Sequence, residues 1–127
     1  MGDFTKLKAW NAARELAREI HSALKGRQPG GYTGLRAQIL RASSSIASNL
    51  AEGCAKQSRL ELARFAEIAY ASAKEVECDL ILLHDAQILS GSQYESLSSR
   101  TDEVARLCYG LMRRPTNNPP NPIANAG

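Results

Sequence analysis

A helix stop in this chain is followed within five residues by a helix start, which limits the fold to one with a tight helical turn at this point. Gly53 is the residue type that commonly closes a helix in the left-handed conformation. Ser58 stands three residues before Glu61, the spacing of a capping box, which satisfies free backbone amides at the start of a helix. The two signals predict an antiparallel helical hairpin, with one helix from about Leu35 to Gly53 and a longer one over about residues 59–89.

The first helix of this hairpin has two faces that both suit packing against protein. Successive side chains of a helix are rotated by about 100°, and this spacing gives one apolar face that is wide enough to pack on a core. Its members are Leu35, Ile39, Ala42, Ile46, Asn49 and Leu50. The second face consists of small side chains and one leucine, namely Ala37, Leu40, Ser44, Ala47 and Ala51. We therefore expect protein to cover this helix on more than one flank, and we predict that Leu40 and Ala47 lie at a subunit interface.

A polar stripe runs along the same helix and ends at the turn. It consists of Gln38, Arg41, Ser45, Ser48 and Glu52, and Asn49 and Gly53 adjoin it towards the hairpin turn. In a structural interpretation, Asn49 and Glu52 bond the hairpin turn or the cap of the next helix and fix the register of the bundle. In a functional interpretation, the stripe lines a site in an oligomer, where the acidic pair Glu75 and Glu77 partners Arg41 or basic residues of another subunit.

The N-terminal part of the chain predicts another helix, from near Asp3 to about Gly26. The linker that follows contains Pro29-Gly30-Gly31, which cannot continue a helix. Phe4 and Leu7 do not fit the apolar face of this helix. Either its first turn bends, or the two side chains pack on something else, such as another subunit.

The fourth helix is predicted to open at Ser92 and Glu95, which repeat the capping-box spacing, and to end near Arg114. No strand pattern of period two is present. Four helices with short links predict an all-α, antiparallel up-down-up-down four-helix bundle over residues 1–114. Residues 115–127 are rich in Pro and Asn and poor in apolar side chains, so we expect this tail to be disordered.

The cysteine content and the apolar runs indicate the compartment. Cys54, Cys78 and Cys108 are an odd number of thiols without metal-type spacing, which is typical of free cysteines in a reducing cytoplasm. The apolar runs are too short for a membrane span, and no secretory leader is evident. We expect a cytoplasmic protein with no membrane partner.

The residues that catalysis requires are not arranged for it in the sequence. Metal sites in helical bundles use Glu-x-x-His pairs, and no Glu here is followed by His three residues later. His21 and His84, on different helices, are expected at the surface or at an edge. The Ser43-Ser44-Ser45 run lies in a helix, where serines usually bond their own backbone. We predict no enzyme activity, metal site, cofactor or small-molecule substrate.

Charge is distributed unevenly along the chain. Residues 1–59 hold ten Lys and Arg against four Asp and Glu, whereas residues 60–112 hold four against nine. Such asymmetry indicates either self-assembly through opposite faces or a basic surface for an acidic partner. The residues predicted to bind RNA or DNA are Arg14, Arg18, Lys25, Arg36, Lys56 and Arg59. Because aromatic residues are scarce, we expect salt-sensitive contacts with the nucleic-acid backbone.

A second apolar seam on the third helix indicates a subunit interface. Tyr70, Ile81 and Ile88 share a face with Glu77 at coiled-coil-like spacings of seven, four and seven. Three scattered apolar residues on a long helix are equally consistent with an ordinary surface. We retain both interpretations.

One block of the sequence resembles a known family. The run Ser45-Ile46-Ala47-Ser48-Asn49-Leu50-Ala51-Glu52-Gly53, within residues 34–53, is similar to the bacterial four-helix-bundle family that includes proteins encoded in intervening sequences of large-subunit rRNA genes. The resemblance covers about residues 4 to 112. It extends more distantly to accessory proteins of diversity-generating retroelements. It implies a homopentameric assembly of four-helix bundles with a role in nucleic-acid binding.

Together these features predict a non-catalytic, self-assembling bundle that binds RNA or DNA through a basic surface repeated by assembly. Five copies of a chain with net charge +3 would carry about +15, so a weak patch gains strength by repetition. The alternative is a scaffold or protein-interaction module without affinity for nucleic acid.

Overall fold

Four helices, built from apolar residues at helical spacing, pack around one core in the computed structural model, which describes residues 2–26 and 30–113. The helices are α1 (Lys8–Ala23), α2 (Thr33–Ala55), α3 (Arg59–Asp85) and α4 (Gly91–Met112). A short 3-10 turn over Phe4–Lys6 precedes α1, and no strand occurs in the described ranges. Each helix packs on two neighbours, and α1 against α4 closes the bundle. The predicted all-α four-helix bundle is confirmed.

The helices run antiparallel, and the side-chain contacts between them show it directly. Gln38 of α2 meets Asp79 of α3, and Ser45, one heptad later on α2, meets Ser72, one heptad earlier on α3. Every helix contributes side chains that are under 2% exposed. The largest apolar ones, together with Leu24 just after α1, are Leu16, Ile20, Ile39, Ile46, Leu50, Val76, Leu80, Leu83 and Val104. Burying a large apolar side chain fully contributes about 1.5–3 kcal/mol, so this shared interior is the main source of stability.

The turn between α2 and α3 differs from its prediction at Gly53. Gly53 does not close α2 but lies inside it, and the left-handed residue of the turn is Gln57, with φ 57°. Gly53 is buried because Phe65 of α3 approaches it: a Cβ added at Gly53 would lie 2.6 Å from the Phe65 Cβ. The predicted cap of α3 is confirmed, since the Glu61 amide donates to Ser58 Oγ at 3.3 Å. Gly53 thus permits close packing between the helices of the hairpin.

The α3–α4 turn also begins earlier than predicted. Helix α3 ends at Asp85 rather than Leu89, and Gln87 turns the chain with φ 62°. The capping box of α4 is formed by Ser90 and Gln93, not by Ser92 and Glu95. The Gln93 amide donates to Ser90 Oγ at 3.1 Å, and the Ser90 amide donates to Gln93 Oε1 at 2.9 Å. Ser90 and Ser92 both stand three residues before a Gln or Glu, so the sequence offers two capping boxes two residues apart, and the predicted one was wrong.

At the N-terminus the bent first turn is the alternative that the structure adopts. Asp3 caps the 3-10 turn rather than α1, and an extended Leu7 separates the two elements. The bend brings the Phe4 ring onto Trp10, with centroids 4.9 Å apart. At the other terminus α4 ends at Met112; Arg114 and the predicted disordered tail over 115–127 lie outside the described residues.

Candidate functional site

An open groove of about 750 Å³ lies between α1 and α2. Its α2 side is formed by three members of the predicted small-residue face, Ser44, Ala47 and Ala51, together with Ser48 of the polar stripe. Small side chains on α2 leave the space, because longer ones would fill it. Ala47, predicted at a subunit interface, therefore lies in the groove.

Basic residues from both helices line this groove. Arg14 and Arg18 are four residues apart on α1, which places them on one helix face, and Lys25 follows just beyond the end of α1. Antiparallel packing brings Arg36 of α2 opposite that end. Four of the six residues predicted to bind nucleic acid thus come together, with His21 beside them, and none of the described lining residues is Asp or Glu.

The local contacts of these cations leave them able to bind a ligand. Arg36 Nε donates to the Leu24 carbonyl at 3.2 Å, which uses one of the five donors of the guanidinium and holds it at the groove. Arg18 Nη1 lies 3.6 Å from Glu15 Oε2, in a pair so exposed that it contributes under about 1 kcal/mol. The Arg14 guanidinium lies over the Trp10 ring, 5.8 Å from its centroid. An incoming anion would displace little.

Lys56 and Arg59 do not line the groove. Lys56 follows the last residue of α2, with its ammonium 5.7 Å from the centroid of the Phe65 ring, and Arg59 is the first residue of α3. Both side chains are exposed at the turn between the two helices. The predicted basic set is therefore one cluster of four and a separate pair.

The polar stripe on the other flank of α2 bonds to α3. Gln38 Nε2 donates to Asp79 Oδ1 at 2.6 Å, and the hydroxyls of Ser45 and Ser72 share a hydrogen bond of 3.0 Å. The Asn49 amide donates to the Ser45 carbonyl at 2.8 Å and to Ser45 Oγ at 3.0 Å. The prediction that Asn49 bonds the turn or the α3 cap is therefore wrong.

The register of α2 against α3 is instead fixed by Gln38 and Ser45. Arg41 and Glu52, the charged members of the stripe, are both exposed.

Asp79 is a buried acid that sequence reasoning missed. Its side chain is 0% exposed, and within the described ranges its Oδ2 has no hydrogen-bond partner. Burial raises the pKa of Asp79, and the hydrogen bond from Gln38 opposes that rise. The signal in the sequence was its position seven residues after Ser72, on the same face of α3.

The predicted interface residues are mostly covered within one chain. Tyr70 packs on Tyr109, with centroids 5.9 Å apart, and Leu40 and Ile88 pack partly buried against the core. Ile81 is 44% exposed. Further exposed apolar side chains on α3, which the sequence analysis did not single out, are Leu60, Ile68 and Leu82.

The remaining reactive side chains are scattered or buried. His84 stacks on Tyr94 with ring centroids 4.5 Å apart, whereas His21 is exposed at the groove. The three cysteines are free thiols, and burial raises the pKa of Cys108 to about 12. Among the residues that the structure describes, no group of three His, Cys, Asp or Glu side chains could hold a metal ion. Over the same residues, no helix has the length and apolar character of a membrane span.

Comparison with known proteins identifies the family. A model described as "23S rRNA-intervening sequence protein" matches residues 5–110. No curated protein matches the chain. A crystal structure of a protein of unknown function from the S23 ribosomal protein family of Bacteroides thetaiotaomicron VPI-5482 is similar, with a TM-score of 0.72 and 26% identity over 84% of this chain and 99% of that chain.

The resemblance noted at residues 45–53 is thereby confirmed. Neither comparison names a catalysed reaction. Since the match extends over more than half of the sequence, this chain belongs to the 23S rRNA-intervening sequence protein family.

Proposed function

We propose that this protein binds RNA or DNA, without catalysis, through phosphate contacts in the α1–α2 groove. The observation that carries the proposal is the lining of the groove, where four cationic side chains meet and no described lining residue is Asp or Glu. Lysine and arginine that neutralise phosphates release condensed counterions, and this release drives binding at low salt. A groove of one sign of charge also concentrates an oppositely charged ligand.

Arginine suits this task better than lysine, and three of the four cations are arginines. A guanidinium presents a planar fork that binds two phosphate oxygens together. Arg36 is already held at the groove by its bond to the Leu24 carbonyl, so less side-chain entropy is lost when it binds. The contacts would be with the backbone and would discriminate little between sequences.

Four contacts from one chain give only modest affinity, so the proposal includes self-assembly. We infer a homo-oligomer, a pentamer as the family resemblance implies, in which each copy adds a groove and raises the overall affinity. Exposed apolar side chains on α3, including Ile81 at 44% and Ile68 at 49%, supply surface for such contacts. The free thiols fit a protein that works in the reducing cytoplasm.

Filter binding tests nucleic-acid binding. At about 50 mM salt, the protein is expected to retain an RNA that contains paired and unpaired segments, and to retain duplex DNA more weakly. At about 200 mM salt it should release both. Absence of retention of either at the lower salt would overturn the proposal. It would favour the alternative, a scaffold whose partner is another protein, which mass analysis of the natively purified complex would identify.

Sedimentation velocity tests self-assembly separately. Ile81→Glu places a charge on an exposed apolar position and is expected to shift the protein to a smaller species with unchanged helical circular dichroism. Ser99→Glu, an exposed position on α4, is the matched control and should sediment like the parent. An unchanged profile for Ile81→Glu would show that this residue faces water in solution.

A further inference from the structure

We propose that the α1–α2 groove takes a single strand rather than a duplex, with one base stacked at its aromatic end against Trp10 and Phe4. This inference rests on the proposed function and specifies its ligand. It reverses one expectation from the sequence, namely that too few aromatic residues are present for base stacking. The number of aromatic residues is small, but two of them lie where the cations are.

The aromatic end is built by the bend before α1. The 3-10 turn folds the Phe4 ring edge-on to Trp10, at 68° between the ring planes and 4.9 Å between centroids. Both rings line the groove and both are half-buried, so part of each remains available to a ligand. A base has an apolar face of similar size, and stacking on such a platform tolerates any base.

Arg14 joins the aromatic end to the basic lining. Its guanidinium lies 5.8 Å from the Trp10 centroid, within the range of a cation–π contact. A planar guanidinium can stack on a base while its edge donates to the adjoining phosphate. Arg14 can therefore contact a stacked base and the phosphate next to it on the same strand.

The dimensions of the groove favour a single strand. The groove of about 750 Å³ extends along at least about 18 Å of α1, so its mean cross-section is at most about 40 Å², which suits one strand and is too small to enclose a duplex. From Trp10 to Ser22, the lining follows α1 for about 18 Å at about 1.5 Å per residue, the length of a few nucleotides. In a duplex the bases are stacked inside and cannot reach Trp10, whereas a single strand exposes them.

Trp10 is the only tryptophan, which gives a direct readout on the intact protein. The full chain is titrated at about 50 mM salt with a single-stranded thymidine oligomer, with an abasic sugar–phosphate strand of equal length and with a duplex. The base-bearing strand should quench the Trp10 fluorescence and bind about tenfold tighter than the abasic strand. Trp10→Leu has no tryptophan signal, so its binding is followed by the anisotropy of a labelled strand, and it should bind the base-bearing and abasic strands with about equal affinity.

The outcomes separate this inference from the proposed function. Equal affinity for the base-bearing and abasic strands, or tighter binding of the duplex, would overturn the stacking inference and leave backbone binding standing. Absence of binding to every probe would overturn both. The comparison of strands uses the unaltered protein, so it tests base stacking even if Trp10→Leu unfolds the N-terminal turn.

Discussion

Helix α2 has two flanks of unlike design. Towards α3 its polar side chains are bonded across the helix pair, with Gln38 on Asp79 and Ser45 on Ser72. Towards α1 it carries small side chains that leave a groove, and the cations around that groove make weak or partial contacts within the chain. On the α2–α3 flank the polar side chains stabilise the fold, whereas on the α1–α2 flank the charged side chains remain available to bind a partner.

Charge reversal in the groove has the largest expected effect. Arg14→Glu combined with Arg18→Glu should weaken nucleic-acid binding about 100-fold at low salt, because two attractive contacts with phosphate become repulsive. Both residues are exposed on α1, so the unfolding midpoint should change little. Binding is measured by filter retention and stability by urea denaturation.

The matched control reverses two arginines away from the groove. Arg64→Glu with Arg106→Glu makes the same change in net charge and likewise removes exposed intrahelical ion pairs, with Glu61 and Asp102. The control should lose far less affinity. Equal loss in the two double variants would show that only the total charge matters and that the groove is not the site.

Gly53→Ala is expected to destabilise the α2–α3 flank by about 1–3 kcal/mol, because its new Cβ would lie 2.6 Å from the Phe65 Cβ. Helix propensity works in the opposite direction by about 1 kcal/mol. Gly34→Ala is the control: it also lies in α2 but has open space around it, so it should be neutral or stabilising. Equal effects of the two substitutions on urea unfolding would contradict the close approach of α3.

The charge on Asp79 should make stability depend on pH. Burial raises the folded-state pKa above the ordinary value of 3.8, so the unfolded chain ionises first. The free energy of unfolding should therefore fall as the pH rises from that ordinary value through the folded-state pKa, and recover on acidification.

Asp79→Asn should remove this pH dependence, because asparagine does not ionise, and should raise the free energy of unfolding at neutral pH by about 1 kcal/mol. Asp85→Asn changes an exposed position on the same helix and should leave the pH dependence unchanged. Urea unfolding across the acidic and neutral range measures both variants. A pH profile for Asp79→Asn that matches the parent would mean that Asp79 keeps the same protonation state when the chain folds.

Serine-to-alanine changes give the smallest expected effects and compare the flanks most closely. Ser72→Ala removes the partner of Ser45 and should reduce stability by about 0.5–1.5 kcal/mol. Ser44→Ala, on the groove side, should leave stability nearly unchanged, because Ser44 is exposed. Thermal unfolding followed by circular dichroism distinguishes them, and an equal loss would remove the difference between the flanks.

Much of this fold follows from local patterns. Apolar periodicity predicts the four helices, and the Ser58 cap fixes where α3 begins. The structural roles of Gly53, inside α2, and of Ser90, as the cap of α4, could not be predicted from local patterns. A glycine serves equally to end a helix or to admit a neighbouring helix, and two overlapping capping signals near the start of α4 could not be ranked without the packed structure.

The sequence named the four cations of the candidate groove, but it did not show which predicted cations lie together or that aromatic rings join them. The helical spacing of Arg14 and Arg18 places them on one face, but only antiparallel packing brings Arg36 and Lys25 to the same groove. Phe4 reaches the groove through the bend at Leu7, which periodicity left open. Asp79 was missed because α3 carries several acidic residues, including Glu75 and Glu77 close by, and one acid among them looks like a solvated residue until its neighbours are known.

Phosphate contacts in the groove should appear in the salt dependence of nucleic-acid binding. The logarithm of the affinity for a short oligomer is measured against the logarithm of salt concentration, for the parent and for Arg14→Gln with Arg18→Gln. The double variant should lower the magnitude of the slope by about 1.4 to 1.8, which corresponds to the loss of two phosphate contacts. An unchanged slope, or no binding by the parent at about 50 mM salt, would contradict it.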